Sequence, residues 1–170
     1  MSKSDTFWGR LLLRNGALLI LPPMVITFGL WAALPPRYSF AQFWKDIPSW
    51  LGFLENLFRI LVFGIPVLLY FGRGDKTQSL GWYFYSGGLI VYLASYLMQI
   101  VFPYSDWSMS VIGFSAPAWS TLVWLIGIGF VCSRSWLPLR WSRLIYLCCT
   151  VLFLIFHTGH TLLIYSRIAN

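Results

Sequence analysis

Residues 50–71, WLGFLENLFRILVFGIPVLLYF, have the length and apolarity of a helix that crosses a membrane. Their first half nevertheless carries Glu55, Asn56 and Arg59. An ionisable side chain in hydrocarbon costs roughly 2.5–3.5 kcal/mol on insertion scales, so it is kept where it has a partner, a cavity or a task. Two questions follow: how many helices surround this one, and what do its polar groups face?

Composition answers the first in outline. With 58% hydrophobic residues, 10% charged residues and a mean hydropathy of +0.71, the 170-residue chain lies outside the range of soluble domains. Nucleic-acid binding is excluded in the same step. The net charge of +7 comes from residues scattered between apolar runs, where they act as topology signals and form no basic face.

Five apolar runs, at about residues 16–34, 50–71, 80–102, 117–131 and 144–165, come near the ~20 residues that span a bilayer. The fourth is short and invites extension by residues 111–114 as a re-entrant piece, which is tolerated where protein shields the backbone. The expected fold is all-α: one integral membrane domain over residues 1–170, a polytopic bundle of about five transmembrane helices. Between the first two runs, Phe40, Phe43, Trp44 and Ile47 recur at i, i+3, i+4 and i+7 behind a Ser39/Gln42 capping box. Residues 39–47 are therefore expected as a short interfacial helix, a connector first and a lid second.

Lys and Arg set the orientation. Lys3, Arg10, Arg14, Arg73, Lys76, Arg134, Arg140 and Arg143 fall on one side and only Arg37, Lys45 and Arg167 on the other, which predicts a cytoplasmic N-terminus and an outside C-terminus. Trp8, Trp82, Trp136 and Trp141 fall at inner ends, and Trp44, Trp50, Trp107 and Trp119 at outer ends, as an aromatic belt requires. A cleaved signal peptide ending at the WAA before Pro35 is the weaker alternative, because an apolar run of about 19 residues is long for a signal core. Cys132, Cys148 and Cys149 are odd in number and sit in or beside the membrane, so they suit packing better than bonding.

Depth then gathers the polar residues. At 1.5 Å per residue Glu55 and Arg59 lie roughly 7 and 13 Å below the outer surface, and on the last run His160 and His157 lie at roughly the same two depths. On the third run Tyr85, Gly88, Tyr92, Ser95, Tyr96 and Gln99 share one helix face, and on the second Gly52, Glu55, Asn56, Arg59 and Phe63 do. A polar cavity in the outer half of the bundle is expected. Its candidate ligand-binding residues are Glu55, Asn56, Arg59, Tyr92, Ser95, Tyr96, Gln99, His157 and His160, with Asp106 or Trp107 at the mouth. The structural alternative is an intrahelical Glu55–Arg59 pair, with histidines that bond Tyr92 or Gln99 as interhelical glue.

The inventory sorts the reaction classes. A zinc hydrolase would use Glu55, His157 and His160 as its three protein ligands, but Arg59 beside Glu55 repels a cation. A di-iron bundle needs about four carboxylates where Glu55 is the single Glu, and two histidines on one helix cannot clamp a haem. Ser95 with His157 is conceivable as a hydrolase pair but lacks a nucleophile-elbow pattern. A channel lacks a polar path in its inner half, where Thr150 stands almost alone, and a transporter lacks an inverted repeat. Binding without bond-making fits best: Arg59 receives an anionic headgroup, Glu55 and Asn56 orient it, and the histidines make occupancy sensitive to pH. The expected partner is a membrane lipid or small amphiphile, with no cofactor; a membrane-protein partner or a second copy of the chain is compatible with it.

The order of the E-N-x-x-R helix at residues 55–59, the run YLASYLMQIVFPYSDWSMSVIGFSAPAWSTLVWLIGIG at residues 92–129 and the late HTGH at residues 157–160 resembles an uncharacterised family of small bacterial polytopic membrane proteins. The likeness covers roughly residues 49–165, and the loop WSMSVIGFSAP at residues 107–117 is its most distinctive part. It implies a bacterial plasma membrane and leaves the chemistry open. Read physically, Pro103 ends a helix, Ser115 and Pro117 start one, and Gly113 with Phe114 suits a tight return with an aromatic plug.

Overall fold

The computed structural model describes residues 14–71, 74, 76–132, 134–138 and 141–169. Lys3, Trp8, Arg10, Arg73 and Arg140, five of the orientation markers, lie outside the described residues. The described chain is mostly helical, and each apolar run becomes a helix. These are α1 (Gly16–Trp31), α3 (Ser49–Leu68), α4 (Lys76–Val101), α7 (Ala116–Val131) and α8 (Ser142–Ala169), with the single turns α2 (Phe40–Phe43), α5 (Asp106–Met109) and α6 (Val111–Phe114) between them.

Three of the helices, α3, α4 and α8, are long and apolar enough to cross a membrane. The sequence leads one to expect five such helices, and two fall short for visible reasons. The α1 segment opens as a 3₁₀ run, Gly16–Ile20, and turns α-helical only at Leu21, where Pro22 and Pro23 occupy the first turn. Its last residue is Trp31, so it stops before Leu34. In α7 the chain starts at Ala116 behind two broken turns, and at 16 residues it reaches only about 24 Å. Residues 111–114 do not prolong it; they form the separate turn α6, capped by Ser110.

The interfacial helix is likewise shorter than its periodicity suggests. Ser39 caps it by accepting from the Gln42 amide, as expected, but α2 ends at Phe43. Asp46 then takes a positive φ of 53° and Pro48 follows, so the chain cannot continue as helix to Ile47. At the other end of the bundle β1 (Leu69–Tyr70) pairs antiparallel with β2 (Arg134–Ser135), and Asn15 bridges to Tyr70. We call this the proximal end; the opposite end, with residues 35–48 and the close of α8, is distal. Of the described basic residues, Arg14, Lys76, Arg134 and Arg143 are proximal and Arg37, Lys45 and Arg167 are distal.

The tightest seam joins α4 to α7. A Cβ on Gly88 would stand 2.9 Å from the Trp124 Cα, and one on Gly127 2.6 Å from the Tyr85 Cα, so the two backbones meet where side chains are missing. Close approach of this kind is how helices gain packing energy where lipid is as apolar as leucine. It also decides part of the α4 face. Tyr85 and Gly88 belong to the seam, with the Tyr85 hydroxyl donating to the Leu19 carbonyl, and only the distal part of that face looks into open space. The α3 helix packs on α8, which also packs on α7. The α-helical part of α1 packs chiefly on α4 and makes no substantial contact with α3.

Candidate functional site

Glu55 is the hub of the distal half. It is 1% exposed, and three donors converge on its carboxylate. Arg59, one turn on, reaches Oε1; His157 Nδ1 lies 2.9 Å from the same oxygen, and His160 Nδ1 lies 2.5 Å from Oε2. Helical spacing explains the convergence. His157 and His160 stand three apart on α8, so both imidazoles lie on the face that packs on α3. Neither histidine bonds Tyr92 or Gln99, which corrects that part of the structural alternative.

Proton counting sets a lower bound on the charge of this cluster. His160 Nε2 lies 2.7 Å from the Phe43 carbonyl oxygen, which can only accept, so Nε2 carries a hydrogen. Its Nδ1 faces a carboxylate oxygen, and one further proton must lie between them. Whether nitrogen or oxygen holds it, Glu55 and His160 together sum to zero. His157, its Nδ1 2.9 Å from Oε1, adds no negative charge in any protonation state. The charge of Arg59 is therefore left over, and the cluster carries at least one net positive charge.

Beside it lies a cavity of about 340 Å³. Its charged wall is Glu55, Arg59, His157 and His160; Tyr92 and Tyr96 of α4 and Thr27 of α1 supply hydroxyls, and the rest is mainly aromatic and aliphatic. Tyr38, Phe43 and Trp44 cover its distal side. Tyr38 and Phe114 stack at 4.9 Å, the Tyr38 hydroxyl donates to the Phe114 carbonyl, and burial pushes the Tyr38 phenol well above its usual pKa, so it stays a donor. Phe114 is thus the buried aromatic plug expected of that loop. The α-helical part of α1 and the α3 helix both line the cavity with no substantial contact between them, which leaves a gap on that side, distal to the 3₁₀ start of α1 where the two do pack. Phe28, 74% exposed, and Phe40, 66% exposed, mark the mouth.

Several expected residues lie elsewhere. Asn56 accepts from Arg59 and braces it without lining the cavity. Ser95 donates to the Tyr92 carbonyl at 2.6 Å, so it is no partner for His157. Gln99 donates to the Gly113 carbonyl and accepts from Arg37, tying down the distal loop. Asp106 is exposed at the start of α5, and Trp107 lies against Gly113, so close that a Cβ there would stand 2.6 Å from the Trp107 carbonyl carbon. Neither is at the mouth. The loop turns inward on Gly113 and Phe114, which carries the residues before it away from the opening.

Sequence reasoning missed Thr27, Trp124 and the Phe43 carbonyl. Thr27 had a signal, as the one hydroxyl in residues 16–34; Trp124 had one too, an indole in mid-helix instead of at a boundary. Its Nε1 is buried and has no hydrogen-bond partner among the described residues. The Phe43 carbonyl had none, since it faces His160 only because α2 stops where it does.

Among the described residues no group of three His, Cys, Asp or Glu is arranged to hold a metal ion. The three candidate zinc ligands hydrogen-bond one another instead, and both nitrogens of His160 are taken. The fold and these groups define a class: a helical membrane protein with a largely apolar cavity that has one charged wall. Compared with protein families, curated proteins and solved structures, the chain matches none.

Proposed function

We propose that the protein binds or handles an anionic membrane lipid or small amphiphile, taken in sideways from the outer leaflet of a bacterial plasma membrane. The observation that carries this reading is the uncancelled charge of Arg59 on the wall of an otherwise mostly apolar cavity. A guanidinium there forms charge-assisted hydrogen bonds to a phosphate or carboxylate, and the aromatic mouth suits an alkyl chain that stays partly in lipid. The outward placing of the distal end rests on the Lys and Arg bias, eight against three, and on five crossings with α1 and α7 as the short ones.

Lipid retention tests it. Native mass spectrometry of the protein released from detergent should find anionic lipid bound to the wild type and largely lost from Arg59→Gln, while Lys45→Gln, a change on the distal surface, keeps it. Equal retention by all three proteins would contradict the reading.

A further inference from the structure

The hydroxyls of the cavity have a direction. Thr27 Oγ1 lies 2.8 Å from the Pro23 carbonyl oxygen and 2.7 Å from the Tyr92 hydroxyl, which is 3.2 Å from the Tyr96 hydroxyl. The two short contacts each hold a proton, a carbonyl has none to give, and once the Tyr92 hydrogen is spent on Thr27 the longer contact can be filled only from Tyr96. Thr27 therefore donates to Pro23, Tyr92 to Thr27, and Tyr96 to Tyr92. Every hydrogen of the chain is used inside it. What remains for an occupant is oxygen lone pairs: this wall only accepts. Elsewhere the cavity offers a charged donor, the Arg59 guanidinium, and it is also lined by Trp124, whose buried Nε1 has no partner among the described residues.

An occupant complementary to both carries an anionic oxygen group and, beside it, a donor. An ammonium donor would add a positive charge to a site that already has one in excess and would cancel the anion that Arg59 holds. A hydroxyl adds none. Resting on the reading above that the cavity takes an anionic amphiphile, we propose that its head bears a single negative charge and a hydroxyl that donates to Tyr96. A glycerol joined through a phosphodiester has this chemistry, and Tyr96, at the open end of the hydroxyl chain, is the specificity-determining residue.

Four probes test this on the full chain in uncharged detergent, with affinity read from the tryptophan fluorescence of the cavity: phosphatidylglycerol, phosphatidylmethanol, phosphatidylcholine and water-soluble glycerol phosphate. Phosphatidylmethanol keeps the phosphodiester charge and lacks the hydroxyl. The wild type should hold phosphatidylglycerol about tenfold more tightly than phosphatidylmethanol, the worth of one hydrogen bond that would otherwise leave polar groups unmatched. Phosphatidylcholine should bind more weakly than either. Tyr96→Phe should erase the difference between the first two probes, and an unchanged helical circular dichroism signal reports that the variant is folded. Equal affinity of the wild type for those two probes would overturn the hydroxyl inference while leaving the anionic-lipid reading standing. A preference that survives Tyr96→Phe would overturn the assignment to Tyr96. Glycerol phosphate binding as tightly as phosphatidylglycerol would overturn the lipid as the source of the head, and failure of all four to bind would sink the underlying reading itself.

Discussion

Glu55 is more than a counter-ion for Arg59. Its two oxygens receive a guanidinium and two imidazoles, and through the second ring the contact continues to the Phe43 carbonyl in the strap above. Its loss and the loss of Arg59 should therefore differ in size. Glu55→Ala leaves two imidazoles without their carboxylate, Arg59 with Asn56 alone and a net charge of at least one, and it should cost about 3–5 kcal/mol. Arg59→Met leaves the Glu55–His160 pair neutral and removes a side chain that is 32% exposed, so its cost should stay within about 1 kcal/mol. Denaturation of each variant in mild detergent measures both. Comparable large losses would mean that Glu55 and Arg59 form the simple intrahelical pair.

At the scale of elements, the seam between α4 and α7 and the gap between α1 and α3 have one origin. Glycines let α4 and α7 meet backbone to backbone, whereas α1 has only Pro23 buried in its α-helical part and stands at the edge. Gly88→Ala should lower stability by about 1–3 kcal/mol, because its new Cβ runs into the Trp124 backbone and no flexible side chain can yield. Gly87→Ala, one residue away with nothing within 4 Å of its Cβ, should be neutral or slightly stabilising. The contrast between these neighbours, read by thermal unfolding, is the check; equal effects would disprove the seam. Helices and their polar residues were legible in the sequence because 3.6-residue periodicity and hydropathy are local. The lengths of α1 and α7, the early stop of α2 and the split of the α4 face were not, since they depend on prolines, a positive φ and a partner helix that a single run does not reveal. The site divides the same way: Glu55, Arg59, His157 and His160 could be gathered by depth, but their convergence on one carboxylate needed the stagger of α8 on α3.

For the whole molecule, orientation and occupancy are the two expectations. Single cysteines at Lys76 and Asp106, in a background lacking Cys132, Cys148 and Cys149, should label with impermeant reagent from opposite sides, position 106 from outside and position 76 only after the membrane is opened. Labelling of both from one side would contradict the topology. Occupancy follows from the charge the cluster leaves over. A ligand at a hundred times its Kd stabilises the folded state by about 2.7 kcal/mol, enough to move the unfolding temperature of a chain this size by several degrees. The most direct test is thermal unfolding of wild type and Arg59→Met in uncharged detergent, with and without added anionic lipid. The wild type should gain several degrees and the variant little or nothing; equal gains in the two would contradict a lipid site built on Arg59.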